Sequence, residues 1–199
     1  MSSLEQSLKE LERDLGAQPM RIAAHSEMPF AILRYDPAEE FALRRHLRLL
    51  SFALAQNHQR IAVLISLSKL VWKIVEKCEG ADYLFKTERL RGVRAAQEHI
   101  NRLLSSPDYR PLGDELIEHI RSLDPAKHVV FLVRAGGLAP YIYRCSALLD
   151  SLVRRTMVPI VLFYPGSAET GTDLKFYNLP VDSNLGAYNY RVKVYGVEK

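Results

Sequence analysis

The chain is poor in cysteine and has no long hydrophobic run. Its two cysteines, Cys78 and Cys145, lie far apart within helical patterns. That argues against a disulfide-stapled scaffold and predicts reduced, buried thiols. Every apolar stretch is well short of the ~20 residues that cross a bilayer, so no membrane contact is expected. The opening MSSLEQSLKELERDLG has no apolar signal-peptide core, and a cytoplasmic location is expected. None of the six histidines stands four residues from another or pairs with a cysteine at zinc-finger spacing, so no metal site is expected. There is no Gly-x-Ser-x-Gly elbow, internal repeat or low-complexity segment. The formal net charge of +4 permits an acidic partner or nucleic acid and demands neither.

What the chain does have is apolar content for a core, 48% of 199 residues, which suggests a single domain over 1–199. The most informative stretch is 128–166. An apolar run from His128 to Val133 leads into Gly136-Gly137, a helical pattern from Tyr141 to Arg155, and a second apolar run from Val158 to Tyr164. That is a β-α-β unit with parallel strands. Two earlier strands are read at 29–35 and 60–67, and two amphipathic ones close the chain at 173–179 and 188–195. The last alternates Tyr190, Val192 and Val194 with polar residues, as a half-exposed edge strand does. The expected fold is a three-layer α/β sandwich with a mostly parallel sheet, antiparallel edge strands at the carboxyl end, and a helical insertion at 82–125 over one edge.

Helix signals are clear at several points. Leu4, Leu8, Leu11 and Leu15 make one stripe on an amino-terminal helix over 1–16, which either packs on its own domain or docks a partner. Asp36-Pro37 opens a helix with Leu43, Leu47, Leu50 and Leu54 inward. Gly80 ends the helix that begins near Ser68. From Asp82 to Leu104 the pattern stays helical, with Val93, Ala96, Ile100 and Leu103 in register.

Two glycine-bearing loops at strand ends have features of phosphate-binding turns. Gly166–Thr172 has P-loop glycine spacing, but Thr172 stands where a lysine is needed and a strand pattern follows, so a surface hairpin is expected. Gly136-Gly137 lacks the third glycine of a dinucleotide fingerprint and reads as a tight turn. No catalytic or cofactor-binding residue is assigned. Arg44, Arg45 and Arg48 form a basic cluster that is a candidate DNA contact, although Glu39 and Glu40 interleave with it and favour a solvated face. Seven of the ten tyrosines follow residue 140. Tyrosine is enriched both at interfaces and in strands. Tyr141, Tyr143, Arg144, Tyr164, Tyr188, Tyr190 and Arg191 are accordingly candidate interaction residues.

The segments FLVRAGGLAPYIYRCSALLDSL (131–152), VPIVLFYPGS (158–167), LKFYNL (174–179) and Asn189-Tyr190-Arg191 resemble the BrxB family of the BREX, or bacteriophage exclusion, systems. PFAILRYDPAEEF (29–41) and ISLSKLVW (65–72) resemble it too. Arg144, Tyr164, Pro165, Gly166, Asn189, Tyr190 and Arg191 fall on its motif positions. The resemblance implies a role in phage defence beside an alkaline-phosphatase-like protein, a large ATPase and an adenine-specific DNA methyltransferase. It carries over no catalytic residue and no cofactor. The expectation is a non-enzymatic assembly subunit. The alternatives are a nucleotide-binding or hydrolysing α/β enzyme, or an accessory DNA-binding module.

Overall fold

A computed structural model describes residues 3–23, 28–139, 141–170, 173–176 and 192–196. The strands are β1 (Phe30–Tyr35), β2 (Ile61–Ser66), β3 (His128–Val133), β4 (Ile160–Thr170), β5 (Asp173–Phe176) and β6 (Lys193–Tyr195). The helices are α1 (Ser3–Gly16), α2 (Glu40–His58), α3 (Leu67–Cys78), α4 (Ala81–Arg91), α5 (Val93–Ser105), α6 (Leu112–Ile120) and α7 (Cys145–Leu152). Five strands form a parallel sheet in the order β2-β3-β4-β1-β6, and β5 pairs antiparallel with the far end of β4.

Strand side chains point alternately to the two faces, and both faces are covered. Phe30, Ile32, Val130, Leu132, Ile160, Leu162 and Tyr164 face α3, α5, α6 and α7. Ala31, Leu33, Val129, Phe131, Val161 and Phe163 face α1 and α2. Continuous apolar runs such as VVFLV and IVLFY are what a doubly covered parallel sheet requires. The Phe131 and Phe163 rings meet edge to face at 5.2 Å and 73°. The α1 leucine stripe is buried in this second layer, so that stripe serves the chain's own fold. Each such leucine contributes about 1.5–3 kcal/mol of apolar burial.

The structure departs from the sequence expectations in five places. First, β6 runs parallel to β1 at the sheet edge, and the antiparallel pairing belongs to the β4–β5 hairpin, away from that edge. Second, α7 begins at Cys145, not Tyr141. The Ile142 carbonyl accepts a hydrogen bond from Asn101 Nδ2 on α5 at 2.6 Å, and the Ile142 and Tyr143 N–H groups both turn back to Leu138 O. Third, the helix expected over 82–104 breaks at Gly92, whose φ of +86° strains any other residue, and this leaves Val93 exposed at the start of α5. Fourth, the 82–125 helices lie on a face of the sheet, sharing the core of α3 and α7, and not over an edge. Fifth, Cys145 is buried but Cys78 is only half-buried.

Candidate functional site

At the carboxyl ends of the strands, backbone and arginine bonds close the loops. The Arg34 guanidinium donates from Nε to Gly196 O at 2.6 Å and reaches Gly166 O at 3.4 Å, tying the ends of β1, β4 and β6 together. Gly196 has φ +83°, and a Cβ there would stand 2.3 Å from Arg34 O. Tyr35 Oη donates to the Glu40 carboxylate, which also holds Arg44 at 3.3 Å.

The Gly136-Gly137 turn is sealed by α3. A Cβ on Gly137 would fall 2.5 Å from Ser68 Oγ and 2.7 Å from Ser68 Cα, and Ser68 Oγ donates to Arg134 O at 2.9 Å. The next α-helix starts only at Cys145, so the turn does not lead straight into a helix N-terminus as a phosphate-binding turn does, and Ser68 in the first turn of α3 occupies the space against Gly137. Residues 166–168 of the second glycine-bearing loop pair with 174–176 as a hairpin. Burial pushes the Cys145 thiol up to about 12, which makes it a poor nucleophile near neutrality. Among the described residues, no group of three or more His, Cys, Asp or Glu is placed to hold a metal.

Two buried carboxylates escaped the sequence reading. Glu115 on α6 is 6% exposed and is ringed by Lys73 at 2.7 Å, Arg110 at 2.9 Å, Lys77 at 3.7 Å and His119 at 3.8 Å. Burial opposes its ionisation, yet the Lys73 hydrogen bond and the surrounding cations outweigh it and hold the carboxyl below its ordinary value. Asp14 on α1 accepts from Lys193 Nζ at 2.5 Å and Tyr195 Oη at 2.8 Å. Burial again opposes ionisation, and these two hydrogen bonds prevail. Both clusters fasten helices to their neighbours. Apart from His119, one helical turn from Glu115, these partners lie 5 to 181 positions away in sequence.

The candidate interaction residues are scattered. Tyr164 is fully buried, its ring 5.1 Å from Phe176. Tyr143 is buried too, and burial, with Asp114 nearby, pushes its hydroxyl above the ordinary value. As they stand in the fold, these two rings are core and offer no contact surface. Tyr141 is 43% exposed with the Arg94 guanidinium 5.3 Å from its ring centroid, and Arg144 is exposed. Tyr188, Tyr190 and Arg191 lie outside the described residues.

The basic cluster turns out to be half apolar. On α2, Arg45 and Arg48 are exposed and, among the described residues, have no ion-pair partner. Beside them stand Phe41, Leu49 and Phe52 at 77%, 60% and 67% exposure. A second apolar group surrounds α4, where Tyr83, Phe85 and Leu90 are exposed and Leu84 alone is buried. The signal for the first was present in EFALRRHLRLLSFALAQNH, which is apolar on nearly all sides. A helix of that kind is ordinarily covered on more than one side.

The sequence matches the family described as "BREX protein BrxB" over residues 63–194, well over half of the chain. The chain belongs to the BrxB family. It is thereby a component of the BREX anti-phage defence systems. A curated relative, "BREX protein BrxB" of Bacillus cereus (strain H3081.97), is 24% identical over 160 residues, covering 80% of this chain and 81% of that protein. No solved structure matches. The BrxB match takes in the sheet from β2 onward and the α3–α7 layer, and leaves α1, β1 and α2 outside it.

Proposed function

We propose that this BREX component is a non-catalytic assembly subunit that holds larger defence proteins together through its helical surfaces. The observation that carries this reading is positive: apolar and basic side chains stand exposed side by side on helices already packed on their opposite faces. Phe41, Leu49 and Phe52 do so on α2, and Tyr83, Phe85 and Leu90 do so on α4. Large exposed apolar groups beside charge are the usual mark of a contact surface. Tyr141, with the Arg94 guanidinium of α5 beside its ring, extends this surface; Arg144 is exposed as well. The partners this reading names are the phosphatase-like protein, the ATPase and the DNA methyltransferase.

Co-purification of the full chain with each of these components tests it. Retention of at least one at micromolar concentration is expected. A chain that stays alone with every component contradicts the reading. Duplex DNA provides the contrasting arm: retention that falls steeply with salt and is lost when Arg44, Arg45 and Arg48 are changed to glutamate favours the DNA-binding alternative.

A further inference from the structure

The outer face of α2 and the groove between α1 and α2 form one continuous feature. The groove has a volume of about 440 Å³ and is open to solvent, with Leu8, Leu49, Leu50 and Ala53 among its lining residues. Its α1 wall carries Glu5, Lys9 and Glu12, and its α2 wall carries Arg45 and His46. Beyond the α2 wall stand Arg48, Phe41 and Phe52, all exposed. The two helices pack side by side, with His58 Nε2 3.7 Å from Glu12 Oε1 near their carboxyl ends. Leu43, Leu47, Leu50 and Leu54 hold α2 against the core. The apolar residues on its other side stay largely exposed, with the Phe41 ring centroid 4.9 Å from the Arg44 guanidinium of its own helix.

We infer that this groove and ridge receive an amphipathic helix of a partner protein, apolar along one stripe and acidic along the edge that faces α2. The inference rests on the assembly reading and deepens it by naming a surface and the chemistry of its occupant. Charge selects the occupant. The α2 side offers Arg45 and Arg48, two cations with no ion-pair partner among the described residues, while the α1 side offers a mixed wall with two carboxylates. A helix with acids on one flank of its apolar stripe satisfies both walls, and one with lysines on that flank meets Arg45 and Arg48 with like charge. Three large apolar side chains interleaved with two cations suit helix anchors spaced every three or four residues. They suit the evenly spaced phosphates of duplex DNA poorly.

The test uses the full chain and labelled peptides of about 18 residues, roughly 27 Å of helix. One peptide carries leucines at i, i+3, i+4 and i+7 with glutamates on one flank. A second replaces those glutamates by lysines, and a third keeps the composition but scrambles the order. Fluorescence anisotropy should show the acidic amphipathic peptide binding with Kd of order 10 µM, about tenfold or more tighter than either control. Binding should weaken as salt rises. R45E together with R48E should weaken the acidic peptide about tenfold and improve the lysine peptide, while circular dichroism and the thermal midpoint stay those of the parent. L49D should abolish both effects. Equal binding of the three peptides, or indifference to the R45E and R48E pair, overturns the inference. So does Arg45- and Arg48-dependent binding of anionic vesicles or single-stranded DNA without binding of the acidic peptide. Self-association of the chain lost in L49D likewise overturns it. Co-purification separates the two levels. If the parent retains a BREX component and the R45E, R48E and L49D variants retain it equally, this surface is wrong and the assembly reading stands.

Discussion

Glu115 is the residue on which the α3–α6 layer turns. Its carboxylate gathers three cations, Lys73 and Lys77 from α3 and Arg110 from the preceding linker. Those cations are partly solvated, so each contact is modest, but the carboxylate itself is buried and cannot exchange them for water. E115Q is expected to destabilise by about 1–3 kcal/mol in urea denaturation at pH 7, because it removes the charge and leaves the buried site half satisfied. The folded-state carboxyl titrates below its ordinary 4.5, so the unfolded chain binds the proton first. The stabilisation is complete above 4.5 and is lost as pH falls through the lower folded value. The gap between parent and E115Q should therefore close as the pH is lowered below 4.5. A gap independent of pH would show that the charge is not what stabilises the site. Nothing in the sequence marked Glu115 out, since its three cations, Lys73, Lys77 and Arg110, all come from outside its helix.

At the scale of elements, the glycine turn after β3 and the helix α4 make opposite demands. Gly137 is fixed by a neighbour: a Cβ would overlap the Ser68 backbone at 2.7 Å. G137A is expected to cost about 1–3 kcal/mol through overpacking, and S68A should not rescue it, because the conflict extends to Ser68 Cα. A thermal midpoint of G137A equal to the parent's would contradict this. The sequence shows a tight Gly-Gly turn at 136–137. Whether it cradles a phosphate or admits a helix depends on Ser68, whose bonded partner lies 66 positions away. For α4, Leu84 is buried and Leu90 is 72% exposed. L84A should destabilise by about 2–4 kcal/mol, whereas L90A should stay within about 0.5 kcal/mol. Equal effects in chemical denaturation would mean that α4 docks differently. The periodicity over 82–104 is helical throughout, and only the +86° φ of Gly92 shows where it splits.

Across the whole molecule, the parallel sheet has two edges of different character. At one, β6 is three residues long. At the other, β2 is six residues of almost wholly apolar sequence, with Ile61 52% and Leu64 47% exposed, and among the described residues no strand pairs its outer side. Such an edge invites pairing with another chain. L64K should leave the unfolding free energy within about 0.5 kcal/mol and reduce aggregation on heating, followed by light scattering. Unchanged aggregation would place the sticky surface elsewhere. By itself the sequence determined the α/β class, the apolar strands, the leucine stripe of α1, the capping Asp36 and the BrxB resemblance, because periodicity, turn chemistry and motif are all local. Only the tertiary structure decided that β1 lies between β4 and β6, that β6 runs parallel, that Tyr143 and Tyr164 are core, and that α2 keeps an apolar face outward. Strand order and the covering of a face depend on which distant segments meet, and no local period in the chain records that.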